Sequence, residues 1–383
     1  MNVTKAMLLA SAAAALLAAC SDPAAKAPAA EAPTATQQAA NAPAQSLPGQ
    51  AAPAPDMPAI PPLTDIPPIE ASASPLAASI DKAVWSPEAV SADDRRHALV
   101  RAEVLLARAH FSPGVIDGLD GGNLKNAIAA FQAARGLPVD GAMNDQVWAV
   151  LAKDEQPALT DYTITADDAK GPFLGKIPTD MVEMAKLPAL GFTSPSEALA
   201  ERFHMDEGLL KALNPGADFG QAGTKIVVAA LGPDRLAGQV TRIEVDKTRR
   251  QVRAFGAGDV LLAVYPATVG SAERPAPDGE WAVRTTAPNP TYTYDPSRLT
   301  FGKASNGKLT LKAGPNNPVG STWIDLTKDT YGIHGTPDPR LVGKTASHGC
   351  VRLTNWDVRQ LSLAVKAGTK VDFVGTAQAS ARG

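Results

Sequence analysis

Residues 331–353 read YGIHGTPDPRLVGKTASHGCVRL and contain His334, His348 and Cys350. The whole chain of 383 residues has only five histidines and two cysteines, so this segment gathers much of its nucleophilic and basic chemistry. This concentration of reactive side chains predicts a functional site in the segment.

Cys350 has the surroundings that a nucleophilic cysteine requires. Such chemistry needs a base for the thiol proton, a turn that presents the sulfur, and amide donors for an oxyanion. His334 and His348 are candidate bases, and Gly349 permits a tight turn just before the sulfur. Arg352 adds a positive charge that lowers a thiol pKa and attracts an acidic substrate. The pattern predicts a reactive thiol.

Three other interpretations of the segment compete with a reactive thiol. In the first, Cys350 is a buried structural residue between two core histidines. In the second, His334, His348 and Cys350 bind a zinc ion. Against zinc, no fourth ligand is obvious in the sequence, and the His-Gly-Cys spacing strains two ligands onto one ion. A papain-like protease is disfavoured because its cysteine precedes its histidine, and this chain has the reverse order.

Upstream of this segment the sequence has the alternating pattern of short strands. The predicted strands are 240–245, 251–255 and 260–267, with turns at 246–247 and 256–258. Few helical windows follow until residues 356–367. Short strands separated by turns predict a β-rich, sandwich-like C-terminal domain.

The segment resembles the catalytic signature of the L,D-transpeptidases of the YkuD type. The resemblance rests on Tyr331–Thr336 followed by Ser347–Leu353, and on two upstream segments, Pro275–Gly279 and Gly314–Gly320. It spans about residues 240–375 and implies a catalytic domain over residues 238–377.

The resemblance implies a role for each residue of the segment. Cys350 is the nucleophile, His334 is the general base that forms a thiolate–imidazolium pair with it, and the carbonyl of Gly335 orients His334. The remaining implied residues are the oxyanion loop Ser347, His348 and Gly349, and Arg352, which meets the substrate carboxylate. No cofactor and no metal are implied.

The implied reaction is acyl transfer within peptidoglycan. Cys350 attacks the L-centre carbonyl of meso-diaminopimelate in a tetrapeptide stem, expels D-alanine and forms a thioester. An acceptor then resolves the thioester. If the acceptor is the amine of a second stem, a 3–3 crosslink forms; if it is water, the enzyme is an L,D-carboxypeptidase; if it is a protein lysine, a protein is attached to the wall. A non-catalytic anchor that only binds peptidoglycan is the other alternative.

Residues 81–155 carry three helical patterns separated by Asp-Gly turns. Apolar residues recur at helical spacing from Leu99 to Ala109, from Asn123 to Ala134 and from Gln146 to Leu151. A small three-helix domain follows from this pattern alone. Its FSPGVIDG, FQAARGL and VDG segments also resemble the peptidoglycan-binding type-1 domain, which implies peptidoglycan as a binding partner.

Residues 156–234 predict a β-α-α-β module. Strands are expected at 162–165 and 223–228, with helices at 196–203 and 207–213 between them. The order resembles a LysM module, which binds N-acetylglucosamine polymers, and an unrelated spacer is the alternative.

The N-terminal residues 1–20 predict a lipoprotein signal peptide. Lys5 precedes an apolar run too short to span a bilayer, and the run ends at Leu-Ala-Ala-Cys20, which resembles a bacterial lipobox. Cys20 is therefore the expected lipidation site, and Ser21 is similar to the default signal for the outer membrane. Residues 21–80 are expected to be a disordered tether, because 30 of the 53 residues from 23 to 75 are Ala or Pro.

Composition excludes several classes of protein. A formal net charge of −3 gives no basic field for nucleic acid, and two cysteines exclude a disulfide scaffold. No glycine fingerprint for a nucleotide is present. The sequence as a whole predicts a multidomain α+β protein of the periplasm, anchored to the membrane by a lipid and acting on peptidoglycan.

Overall fold

The computed structural model describes residues 69–88, 91–270, 275–295, 307–347 and 349–376. These residues confirm the predicted α+β class, with a helical N-terminal region and a β-rich C-terminal domain. No helix within the described ranges has the length and apolar character needed to cross a bilayer. The predicted signal peptide, Cys20 and the tether up to residue 68 lie outside the described residues.

The helical region contains four helices in its described part. They are α1 (Pro75–Asp81), α2 (Ala92–Arg108), α3 (Gly122–Ala134) and α4 (Asp145–Leu151). The last three lie where helical patterns are predicted, although α2 begins at Ala92, seven residues before its predicted pattern. Side chains cap two of them, since Ser91 accepts a hydrogen bond from the amide of Asp94 and Asn144 from that of Val147.

Helix α1 was not expected, because the predicted disordered tether extends to residue 80 and this helix begins at Pro75. Ala77 and Ile80 of this helix are buried against the middle module. Asp81 accepts hydrogen bonds from the amides of Ala158 (2.7 Å) and Leu159 (3.1 Å). The Ala- and Pro-rich local sequence could not predict this helix, because its stabilising contacts are made with residues far along the chain.

The middle module has the predicted β-α-α-β order with two additional short helices. Its elements are β1 (Leu159–Thr163), α5 (Ala166–Lys170), α6 (Met181–Ala185), α7 (Pro195–Arg202), α8 (Glu207–Leu213) and β2 (Lys225–Ala229). Strands β1 and β2 pair antiparallel, with Leu159 opposite Ala229. The insertion that carries α5 and α6 extends the module toward the C-terminal domain.

The C-terminal domain is built on one nine-stranded sheet. Its strands are β3 (Arg242–Asp246), β4 (Gln251–Phe255), β5 (Leu261–Pro266), β6 (Thr268–Val269), β7 (Gly279–Pro288), β10 (Thr322–Leu326), β11 (Gly332–His334), β12 (Val351–Arg352) and β13 (Lys370–Val374). The order across the sheet is β5-β4-β3-β13-β7-β10-β11-β12-β6. The sandwich-like expectation is thereby refined, since the long strand β7 joins both halves into one hydrogen-bonded sheet. Strands β8 (Tyr292–Tyr294) and β9 (Leu309–Leu311) form a separate pair.

The remaining helix of the described C-terminal domain is α9 (Asn355–Ala364), which follows β12 directly. Thr354 caps it by accepting a hydrogen bond from the amide of Asp357. Val358 and Leu361 of this helix are fully buried against the sheet, beside Ile333 and Val351. The helix therefore fixes the position of the two strands that carry His334 and Arg352.

The helical region covers the edge of the sheet at β5. Phe111 bridges to Val264 in parallel, the amide of Val264 donates to the carbonyl of His110 (2.9 Å), and that of Ser112 donates to Val264 (2.9 Å). An uncovered edge strand would expose unpaired backbone groups. The helical region is therefore an integral part of the packing of the C-terminal domain.

Candidate active site

The topology of the sheet brings His334 and Cys350 together. Strands β11 and β12 are parallel neighbours, and His334 lies opposite Arg352. Cys350 lies immediately before β12, two residues before Arg352. It shares a buried cluster with Trp323, whose indole ring stacks on the imidazole of His334. The thiol and the imidazole therefore lie in one buried region of the sheet.

His334 is buried and held in one orientation. Its Nδ1 lies 2.7 Å from the carbonyl oxygen of Gly335, and we assign the proton to Nδ1 because a carbonyl oxygen can only accept. Nε2 is then the unprotonated nitrogen. Burial, reinforced by the positive charge of Arg352, lowers the pKa of His334 to about 3. The residue is thus a neutral imidazole with a free lone pair, as a general base requires.

Cys350 lies in a tight turn and is 2% exposed. Gly349 before it has a φ of +113°, and a Cβ there would come within 2.9 Å of the ring of Tyr331, so only glycine fits. The thiol of Cys350 lies 3.7 Å from the carbonyl oxygen of Thr330. Ser347 donates its hydroxyl hydrogen bond to the carbonyl of Cys350, so it closes the turn. His348, the remaining residue of the predicted oxyanion loop, lies outside the described residues.

Arg352 supplies a buried positive charge beside the thiol. Its side chain is 2% exposed, and burial lowers its pKa to about 10, which the negative charge of a Cys350 thiolate partly opposes. It therefore remains charged at neutral pH. The same charge disfavours protonation of His334.

Asn355 fixes the backbone that follows His334. Its Oδ1 accepts hydrogen bonds from the amides of Ser321 (3.0 Å) and Thr336 (3.2 Å). A Cβ on Gly335 or on Gly320 would collide with this oxygen. The two glycines therefore let Asn355 approach the peptide whose carbonyl holds His334.

Aromatic residues enclose the thiol. Trp323, which lies opposite His334 on β10, and Tyr292 on β8 share a buried cluster with Cys350. The hydroxyl of Tyr292 is buried and has no hydrogen-bond partner among the described residues. The negative charge of a Cys350 thiolate contributes, after burial, to raising the pKa of Tyr292, which indicates that the two side chains are close.

The sequence interpretation missed Asn355, Trp323 and Tyr292. Asn355 follows the Ser347–Leu353 motif by two residues, and that adjacency was the available signal. Trp323 and Tyr292 carried no local signal, since only the pairing of distant strands brings them to Cys350. Within the described ranges, no three His, Cys, Asp or Glu side chains are grouped as they would be to bind a metal ion.

Two known protein families match parts of this chain. The family of L,D-transpeptidase catalytic domains matches residues 240–373, and the family of peptidoglycan-binding domains matches residues 96–151. A protein of Bacillus licheniformis named as an L,D-transpeptidase, YkuD, is 32% identical over 180 residues, which are 46% of this chain and 92% of that protein. The chain belongs to the L,D-transpeptidase family.

Other relatives are matched over a smaller part of their length. The probable L,D-transpeptidase ErfK/SrfK of Salmonella typhimurium is 30% identical over 190 residues, covering 48% of this chain and 60% of that protein. Among solved structures, L,D-transpeptidase 1 of Mycobacterium tuberculosis has 19% identity and a TM-score of 0.26, covering 39% of this chain and 66% of that one. An L,D-transpeptidase of Enterococcus faecium has 20% identity and a TM-score of 0.28, and the match covers 44% of this chain and 62% of that one.

Proposed function

We propose that this L,D-transpeptidase acts on peptidoglycan by forming a thioester on Cys350. The observation that carries the proposal is that Cys350, which immediately precedes β12, shares a buried cluster with Trp323, on which the neutral, buried His334 of the adjacent strand β11 stacks. A neutral imidazole with a free Nε2 is available to accept the thiol proton, because it is not already protonated in the resting state. Arg352 then stabilises the thiolate electrostatically.

The acylation step uses a tetrapeptide stem as the donor. The Sγ of Cys350 bonds to the L-centre carbonyl carbon of meso-diaminopimelate, and its proton passes to His334. When the tetrahedral intermediate collapses, the C–N bond to D-alanine breaks and His334 returns the proton to the leaving amine. Backbone amides of the turn at Gly349 and Cys350 are the donors for the oxyanion.

The acceptor in the second step is the amine of another stem, which gives a 3–3 crosslink. The amine attacks the thioester carbonyl, His334 removes its proton, and the thiol of Cys350 is regenerated. The site is walled by Trp323, Tyr292 and the two methionines of α6, Met181 and Met184. An apolar wall limits access of water to the thioester, which favours an amine over hydrolysis.

We infer from the N-terminal features that the reaction takes place at the cell wall. The helices of residues 81–155 bind peptidoglycan, and the 156–234 module binds glycan or acts as a spacer. A lipid on Cys20 anchors the enzyme in the periplasm, at the outer membrane. The match of residues 96–151 to peptidoglycan-binding domains supports the first of these assignments.

Analysis of the reaction products tests the proposal. The described chain from residue 69, and its Cys350→Ala variant as control, are incubated with disaccharide-tetrapeptides and the products are separated by mass. We expect a dimer lacking one D-alanine, absent from the control. Tripeptide monomer alone would instead identify an L,D-carboxypeptidase, a product only with an added protein lysine would identify a protein-attaching enzyme, and no product would favour a non-catalytic anchor.

A further inference from the structure

Helix α7 of the middle module presents two glutamates to the C-terminal domain. Glu197 and Glu201 are one helical turn apart and so lie on the same side of the helix. Each accepts a hydrogen bond from an asparagine amide of the C-terminal domain: Asn316 Nδ2 donates to Glu197 (2.7 Å) and Asn355 Nδ2 donates to Glu201 (2.9 Å). Both asparagines lie next to the candidate active site.

The contact with Glu201 helps to fix the orientation of the Asn355 amide. Its Nδ2 also donates to the carbonyl of Pro315 (3.1 Å), while its Oδ1 accepts from the amides of Ser321 and Thr336. A reversed amide would set two N–H donors against two backbone N–H donors. Two acceptors on the Nδ2 side therefore fix the orientation, and Glu201 supplies one of them.

Asn355 transmits this orientation to His334. Its Oδ1 accepts a hydrogen bond from the amide of Thr336 (3.2 Å). The carbonyl of the same peptide bond, that of Gly335, accepts the hydrogen bond from His334 Nδ1 (2.7 Å). If the Gly335–Thr336 peptide turned, His334 would lose the acceptor that holds its proton on Nδ1 and leaves Nε2 free. The path from Glu201 to the imidazole thus contains only directional contacts.

The middle module also forms hydrogen bonds with the loop of the C-terminal domain that contains Asn316. The amide of Asn316 donates to the carbonyl of Leu190 (2.9 Å), that of Leu190 donates to Ala313 (2.9 Å), and Asn316 Nδ2 also donates to Gly191 (3.0 Å). This loop ends at Gly320, which packs directly against Gly335. Two separate contacts therefore tie the module to the backbone around His334.

The ionisation state of Glu201 is consistent with a neutral hydrogen-bonding role. Burial, together with the nearby carboxylate of Glu197, raises its pKa to about 8. The side chain is therefore largely protonated at neutral pH, and a glutamine is close to it in both shape and charge. This equivalence provides a conservative variant.

We propose that the middle module is part of the catalytic apparatus, and that Glu201 is a positioning residue that holds His334 through Asn355 and the Gly335 carbonyl. The inference rests on the proposed function in that His334 is the base for Cys350. It assigns to α7 a role beyond spacing or glycan binding. Removal of the acceptor on Glu201 should impair the chemical step and leave substrate binding unchanged.

Three variants of the full chain test this assignment. Glu201→Ala and Glu201→Met remove the acceptor, and the second preserves side-chain volume if the first is poorly folded. Glu201→Gln keeps the acceptor. Glu207→Ala is the matched control, because Glu207 accepts from Ser196 and pairs with Lys211 inside the middle module.

The measurements are kcat and KM on disaccharide-tetrapeptide, and the rate of Cys350 alkylation by iodoacetamide as a function of pH. We expect Glu201→Ala and Glu201→Met to lower kcat about tenfold and slow alkylation at neutral pH, with KM changed less than about twofold. Glu201→Gln and Glu207→Ala should remain within about twofold of the unmodified chain.

Two results would overturn the assignment. One is unchanged kcat and alkylation in a folded Glu201→Met variant, and the other is an equal loss in Glu201→Gln or Glu207→Ala, which would indicate general destabilisation. Alkylation needs no peptidoglycan, so it decides the inference even if the unmodified chain releases no D-alanine. Absence of D-alanine release by the unmodified chain would count against the proposed function only.

Discussion

The indole ring of Trp323 stacks on the imidazole of His334, with ring centroids 5.5 Å apart and 18° between the ring planes. The two residues are direct partners across the antiparallel pair β10–β11. The indole thus covers one face of the imidazole and removes it from water. Desolvation is the largest cause of the lowered pKa of His334, so the stack helps keep the base neutral.

The first prediction concerns the acid side of the pH–rate profile. Since the pKa of His334 is lowered to about 3, the histidine stays neutral throughout the range in which an ordinary histidine titrates. We expect kcat/KM to show no acid inflection near pH 6.5. Trp323→Ala admits water and should raise the pKa of His334, which moves the acid limb to higher pH, whereas Trp323→Phe should resemble the unmodified chain. A limb near pH 6.5 in the unmodified chain would contradict a buried neutral base.

The second prediction concerns the turn before Cys350. Gly349→Ala strains a backbone with a φ of +113° and drives the new methyl group into Tyr331. We expect destabilisation of about 1–3 kcal/mol and an activity loss of about a hundredfold, because the turn that presents the sulfur must shift. The measurements are the thermal unfolding of the variant and its rate of D-alanine release.

Gly368→Ala is the matched control for that variant. Gly368 also has a positive φ, of +84°, but no atom lies within 4 Å of its added Cβ. It should lose a similar amount of backbone stability and retain activity. If Gly368→Ala were as inactive as Gly349→Ala, strain alone would explain both results and the turn would have no specific role.

The third prediction separates stability from activity at Tyr292. Its buried hydroxyl has no partner among the described residues, and such a group costs about 1–3 kcal/mol. Tyr292→Phe should therefore leave the melting temperature unchanged or raise it. Turnover should fall by about three- to tenfold if the hydroxyl meets the bound stem near Cys350. A variant that is both less stable and fully active would show that the hydroxyl has a structural partner instead.

The fourth prediction addresses the helical region. Phe111 and Val264 share a buried cluster across the edge of the sheet, and Asn123 Nδ2 donates to the carbonyl of Val342 (2.9 Å) in the loop between His334 and Cys350. A chain beginning at residue 154 should therefore have a lower melting temperature. It should also lose turnover on soluble disaccharide-tetrapeptides, and not only on intact sacculi.

A chain beginning at residue 69 is the control for that truncation and should keep full activity. Full turnover of soluble substrate by the shorter chain, with loss only on sacculi, would mean that the helical region serves binding alone. The contacts of Phe111 and Asn123 would then be incidental to catalysis.

Local sequence patterns predicted the elements that they determine. The helix Glu207–Leu213 and the strand Gln251–Phe255 match their predicted bounds, because apolar spacing and flanking turn residues are both local. The motif around Cys350 predicted a site because its reactive residues are close in sequence. Helix α1 was missed because Ala77 and Ile80 gain their burial only from the middle module.

The support around His334 is a product of tertiary structure. Trp323, Asn355 and Glu201 come from strand β10 and from helices α9 and α7, and no short window of sequence contains all three. The i,i+4 spacing of Glu197 and Glu201 was visible, but it is equally typical of a solvent-exposed helix face. Only the docking of α7 on the C-terminal domain distinguishes the two cases.

The central claim, a thioester on Cys350, is tested most directly by the mass of the intact protein. The chain from residue 69 is mixed with disaccharide-tetrapeptide, quenched in acid and compared with its Cys350→Ala variant. We expect an adduct of the donor minus D-alanine, mapped by proteolysis to Cys350 and absent from the variant. Continued release of D-alanine by the Cys350→Ala variant, with no adduct on the unmodified chain, would contradict the account.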